Sequence, residues 1–90
     1  MILVELIAII DDDREVVEQL LEAGVLPEPL EREYTEEEAE LVRVAHVLVR
    51  ELEINVAGVE VILRMRQEVL ALRQQMAEVI QTLQSAREKS

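Results

Sequence analysis

Asp11-Asp12-Asp13 sets three carboxylates in a row, and a run of oxygen ligands invites a divalent cation. A calcium loop needs ligands at alternating positions, a glycine for the turn and a distal glutamate, and that spacing is missing here. Turn and helix-cap chemistry accounts for the run better. His46 is the single histidine. It stands between Ala45 and Val47, with no second ligand or nucleophile at motif spacing, so it reads as a structural or surface residue. The chain has no cysteine, which excludes disulfides and thiolate metal sites. Nothing resembles a nucleophile–base pair or a phosphate-cradling loop. The expectation is a protein that is not an enzyme, with no metal site and no cofactor.

What remains is charge. Glu15, Glu18 and Glu22 recur at helical spacing, with Asp11, Asp12 and Asp13 before them and Glu28 after. These seven acids are the candidate contacts for a basic partner. A solvated helix face gives the same pattern, and both readings are open at this level. Their setting is uneven. Residues 1–40 carry 14 acids against Arg14 and Arg32, a balance of −12, whereas residues 41–90 carry 6 acids against 7 bases, a balance of +1. The two balances sum to the net charge of −11. Such a surface repels nucleic acid and attracts basic partners.

The elements that position these acids are legible in order. Residues 2–10, ILVELIAII, are dense in β-branched side chains, yet Leu3, Leu6, Ile7 and Ile10 also share one helical face. Helix is the reading beyond residue 3; residues 1–5 stay open between helix and strand. The run is also too short to cross a bilayer, is broken by Glu5 and lacks the marks of a secretory signal. The expectation is a soluble, cytoplasmic chain. Asp13 suits an N-cap, and Val16, Val17, Leu20 and Leu21 form one stripe of a second helix that ends at Gly24. Pro27 and Pro29 exclude helix. Residues 31–34 are expected to pair with residues 25–26 as a short wing, with Tyr34 over the edge of the core. Thr35 and Glu38 form a capping box for a third helix running to about Leu52, with Leu41, Val44, Ala45, Leu48 and Leu52 facing inward.

Asn55 then caps a last helix with no glycine or proline after Gly58. Alternating steps of three and four from Ile62 reach Met65, Val69, Leu72, Met76, Val79, Leu83 and Ala86, all apolar. That is a heptad seam with Ile62, Val69, Met76 and Leu83 at a and the others at d. A helix of roughly 30 residues is about 45 Å long. The other residues are too few to cover it, so a second copy is the expected partner. Glu68 at g and Arg73 at e would attract in a parallel pair. The division is residues 1–54 as a helix-turn-helix domain with its wing near 25–34, and residues 55–90 as a dimerisation helix with a frayed end. The class is all-α.

The order of elements resembles the MerR-like helix-turn-helix superfamily. Glu22-Ala23-Gly24-Val25-Leu26-Pro27 looks like the end of that superfamily's second helix, and Tyr34-Thr35-Glu36-Glu37 like its tyrosine-plus-cap. Leu52-Glu53-Ile54-Asn55-Val56-Ala57-Gly58-Val59 resembles the turn into the dimer helix of HspR-like and CbpM-like members. The superfamily's DNA-binding members carry cations on the second helix and in the wing. Here those positions offer Arg14 and Arg32 among Glu15, Glu18, Glu22, Glu28, Glu31 and Glu33. The chain therefore looks more like the CbpM family. That resemblance implies an antiparallel homodimer that binds the J-domain of a DnaJ-like co-chaperone of the CbpA type and restrains its action on DnaK. The alternative is an HspR-like DNA-binding transcription regulator.

Overall fold

The structure is a computed structural model that describes residues 1–29 and 33–89. Four helices follow one another: α1 (Leu3–Ala8), α2 (Arg14–Glu22), α3 (Glu36–Arg50) and α4 (Val56–Lys89). No strand occurs among the described residues. The opening run is thus helical from Leu3, and Glu5 begins it by accepting the Ile2 N–H at 3.3 Å. The three aspartates are turn and cap. Asp11 and Asp12 adopt φ of 56° and 58°, a left-handed conformation that aspartate tolerates better than most residues. The Asp12 N–H closes the end of α1 on the Ile7 carbonyl at 3.1 Å. Asp13 caps α2 by accepting from the Val16 N–H.

Gly24 ends α2 at φ +74°, where a side chain would strain the backbone. It donates to the Leu21 carbonyl while Val25 donates to that of Leu20, the paired bonds of a Schellman stop. Thr35 and Glu38 cap α3 reciprocally, side chain to N–H at 3.1 and 2.9 Å. Asn55 Oδ1 accepts the Gly58 N–H at 2.8 Å and starts α4. Gly58 is required there by space: a Cβ would stand 2.8 Å from Ile54 Cγ2.

Leu6, Ile7 and Ile10 of the first segment meet Val16, Val17 and Leu20 of α2, and α3 and α4 close over them. Three expectations change. The buried stripe of α3 is Ala39, Val42 and Ala45, while Leu41, Val44 and Leu48 are half-buried. Leu52 is 61% exposed rather than inward. The reason is that α3 stops at Arg50, and the turn through Glu53 (φ 53°) carries Leu52 to the surface. Tyr34 lies in the core at 4% exposure, not at its edge. Its hydroxyl donates to the Pro27 carbonyl at 2.7 Å, and its backbone exchanges bonds with Met1, at 2.7 and 3.0 Å, instead of pairing with residues 25–26. The remainder of the expected wing, residues 30–32, lies outside the described residues.

The fourth helix behaves differently along its length. Val59 and Leu63 are buried in the core; after Leu63 no described side chain is buried. The chain exposes 6751 Å², against about 5,400 Å² for a compact monomer of its mass. Its radius of gyration is 17.2 Å, where about 12 Å is usual for this length. The projecting part of α4 accounts for both excesses. No helix of the described residues is long and apolar enough to cross a membrane.

Candidate functional site: an acidic helix face, its clasp and an apolar seam

Helix α2 buries Val16, Val17 and Leu20 and so must turn Glu15, Glu18 and Glu22 outward; all three are exposed. Asp11 and Asp12 are exposed in the preceding turn, and Glu28 is exposed beyond Pro27. Among the described residues no cation lies within ion-pair distance of Asp11, Asp12, Glu18, Glu22 or Glu28. Acids three and four positions apart on a helix repel by about 0.2–0.5 kcal/mol per pair. The helix dipole favours Glu15 in the first turn and does nothing for Glu22 in the last. A cationic partner laid along α2 would relieve this repulsion.

Asp13 is set apart from the other acids. Its carboxylate accepts Arg50 Nε at 2.7 Å and Nη2 at 3.0 Å, and His46 Nε2 lies 3.1 Å away. Arg50 also approaches Glu15 at 3.6 Å. The Arg50 guanidinium holds the Asp13 carboxyl below the usual carboxylate range; the Val16 amide and His46 act the same way, against the opposing effect of partial burial. The same contact strengthens the hold of Arg50 on its proton. Asp13 therefore clasps the start of α2 to the end of α3. Sequence reasoning put Asp13 in the exposed set and missed Arg50. The spacing of His46 and Arg50, one helical turn apart, was visible, but nothing in the chain said which of the acids they would meet. Among the described residues no group of three or more histidine or acidic side chains is placed to hold a metal ion.

The seam residues are where a partner could reach them. Ile62 is half-buried beside the core. Met65, Val69, Leu72, Met76, Val79 and Leu83 are 45–63% exposed, and so are three apolar residues of α4 outside the seam, Val61, Leu70 and Ile80. An open groove of about 620 Å³ runs between α3 and α4. Val25, Leu41, Leu63 and Leu70 line it with apolar side chains, and Glu37, Glu40 and Glu60 share it with Arg64, Arg66 and Gln67. Arg66 lies 4.0 Å from Glu40 across it. No local pattern in the chain signals this groove, because its walls come from segments far apart in sequence.

Comparison of the chain with protein-family models, with curated proteins and with solved structures found no match in any of the three.

Proposed function

We propose that this chain is a non-enzymatic, CbpM-like modulator of a J-domain co-chaperone, acting in the cytoplasm as a homodimer. The seam of α4 pairs two copies, and the acidic face of α2 with its leading turn engages the basic helix of a J-domain. That helix is then withheld from the Hsp70 partner of the DnaK type, which offers it an acidic surface of its own. The observation that carries the proposal is the row formed by Asp11, Asp12, Glu18 and Glu22. These acids are exposed, mutually repulsive and without a cation of the described residues to answer them. A MerR-like arrangement of helix-turn-helix and long helix agrees with the order α1 to α4. Binding to DNA as a regulator is disfavoured by the same acids, since phosphate contact needs several cations and Arg14 is the lone one on α2.

The contact is mainly charge on charge, so its on-rate and affinity fall steeply with salt. Titration of a labelled J-domain, followed by fluorescence anisotropy, is the test. Binding is expected at low ionic strength, weakening at high salt, with loss in the triple variant Glu15→Lys, Glu18→Lys, Glu22→Lys. No binding at low ionic strength, or equal binding by the triple variant, overturns the proposal. A gel-shift arm with duplex DNA separates the regulator reading, which needs retarded DNA and no J-domain binding.

A further inference from the structure

Helix α1 reads LVELIA, and Glu5 is its single polar residue. Its inner side is Leu6 and Ile7, both buried in the core. A surface helix keeps polar side chains opposite its core stripe, whereas a helix that is apolar all round is normally covered all round. Here the outer side carries Val4 and, one turn on, Ala8, and both are exposed. Val4 is 66% exposed, the highest value among the large apolar residues described and above every residue of the α4 seam. Ile2, directly before the helix, is 52% exposed. Glu5 is occupied in capping, since its carboxylate accepts the Ile2 N–H. Single exposed apolar side chains are ordinary on a protein surface. Two on one face of a short helix, with a third at its start, form a strip that the chain itself leaves uncovered.

The strip runs into the acidic turn. The Asp12 N–H donates to the Ile7 carbonyl at 3.1 Å, and this bond fixes Asp11 and Asp12 at the end of α1. Both are exposed, and no cation of the described residues lies within ion-pair distance of either. Apolar side chains and unanswered carboxylates thus follow one another within a few residues. Charge selects what can cover them. A second copy would bring its own −12 against a surface of the same sign, and an anionic membrane is repelled in the same way. A helix with apolar side chains one turn apart, and a lysine or arginine one turn beyond, answers both parts of the surface.

We infer that the outer face of α1 is the apolar half of the partner site. A cationic amphipathic helix lays its apolar side chains on Val4 and Ala8 and its cations on Asp11 and Asp12. The inference rests on the reading of the acidic turn and α2 as a surface for a cationic helix, and adds to it a contact that salt does not screen. Charge alone holds any polycation. An apolar contact at one end fixes which way the partner lies and requires an apolar residue at a set distance from its cations.

Two labelled helical peptides of equal length and charge test this by fluorescence anisotropy. Both carry lysines along one side; the flanking stripe is leucine in one and glutamine in the other. Both are expected to bind at low ionic strength, and the leucine peptide about tenfold more tightly, the factor for covering most of one valine. At high salt the leucine peptide alone is expected to bind. Val4→Gln should abolish the difference and leave the affinity of the glutamine peptide unchanged. Because Val4 is exposed the fold should survive, and the near-ultraviolet signal of Tyr34 checks that it does. Equal binding of the two peptides overturns the inference and leaves the charge reading standing. A leucine preference that persists in Val4→Gln overturns it as well. Binding of neither peptide at low ionic strength overturns both. Sedimentation, and flotation with phosphatidylcholine vesicles, separate the other occupants: self-association or flotation that is lost in Val4→Gln assigns the face to a second copy or to lipid and overturns the inference.

Discussion

Leu72→Asp gives the sharpest test of the seam. Leu72 sits at a d position, 63% exposed, on a part of α4 that buries nothing in the core. Complete burial of a leucine is worth about 1.5–3 kcal/mol, so covering the exposed part is worth about 1–2 kcal/mol per chain. A symmetric pair loses this twice, about 2–4 kcal/mol. It must also desolvate two carboxylates that find no cation in the seam, a further cost of the same sign. At 1.4 kcal/mol per tenfold, the dissociation constant rises by at least about 30- to 1,000-fold. Light scattering during size exclusion, at a fixed micromolar concentration, should show the variant as monomer where the proposed pairing makes the parent chain a dimer. The near-ultraviolet signal of Tyr34, the single aromatic residue, reports the core and should be unchanged. A variant that stays dimeric with the parent's affinity refutes the placement of the seam. A variant that loses the Tyr34 signal refutes the claim that the rod and the core are separate.

Three further outcomes follow from the folded half. Tyr34→Phe removes the bond to the carbonyl of Pro27, an exposed residue whose acceptor water can reach, at a cost of about 0.5–1.5 kcal/mol. The melting temperature should fall by about 2–10 °C at fixed protein concentration, and a fall under about 1 °C would show the bond to be dispensable. Gly24→Ala meets nothing within 4 Å yet must hold φ +74°, so it should destabilise by about 1 kcal/mol through backbone strain alone. Gly24→Asn should cost less; equal costs in urea titrations would contradict the assignment. Asp13 has a folded pKa below its unfolded value near 4. The stability it contributes is present above about pH 4 and is lost as pH falls through the folded value. Asp13→Asn should therefore melt lower than the parent at neutral pH, with the gap closing as acid is added below about pH 4. A gap that is the same at every pH would mean that the Arg50 pair contributes nothing through charge.

Much of the architecture is local in origin, and so it could be read from the chain. The caps at Asp13, Thr35 and Asn55 and the stop at Gly24 each depend on residues within one or two turns, and all stand where their spacing puts them. The acids of α2 face outward for the same reason: their own helix buries the other side. What the sequence could not supply was every contact across a long loop. Arg50 reaches Asp13 over 37 residues, and this withdraws one aspartate from the candidate surface. Tyr34 enters the core because Met1 and Pro27 hold it there, though its position suggested an edge. Leu52 fits the α3 stripe by periodicity and is exposed because the helix ends two residues earlier. The groove is a product of tertiary structure alone, since α2–α3 and α4 bring its walls together from both halves of the chain. Local hydrogen bonding and periodicity fixed the four helices and their outward charges. Packing decided which charges remain without a cation beside them, and which apolar side chains of α4 stay exposed.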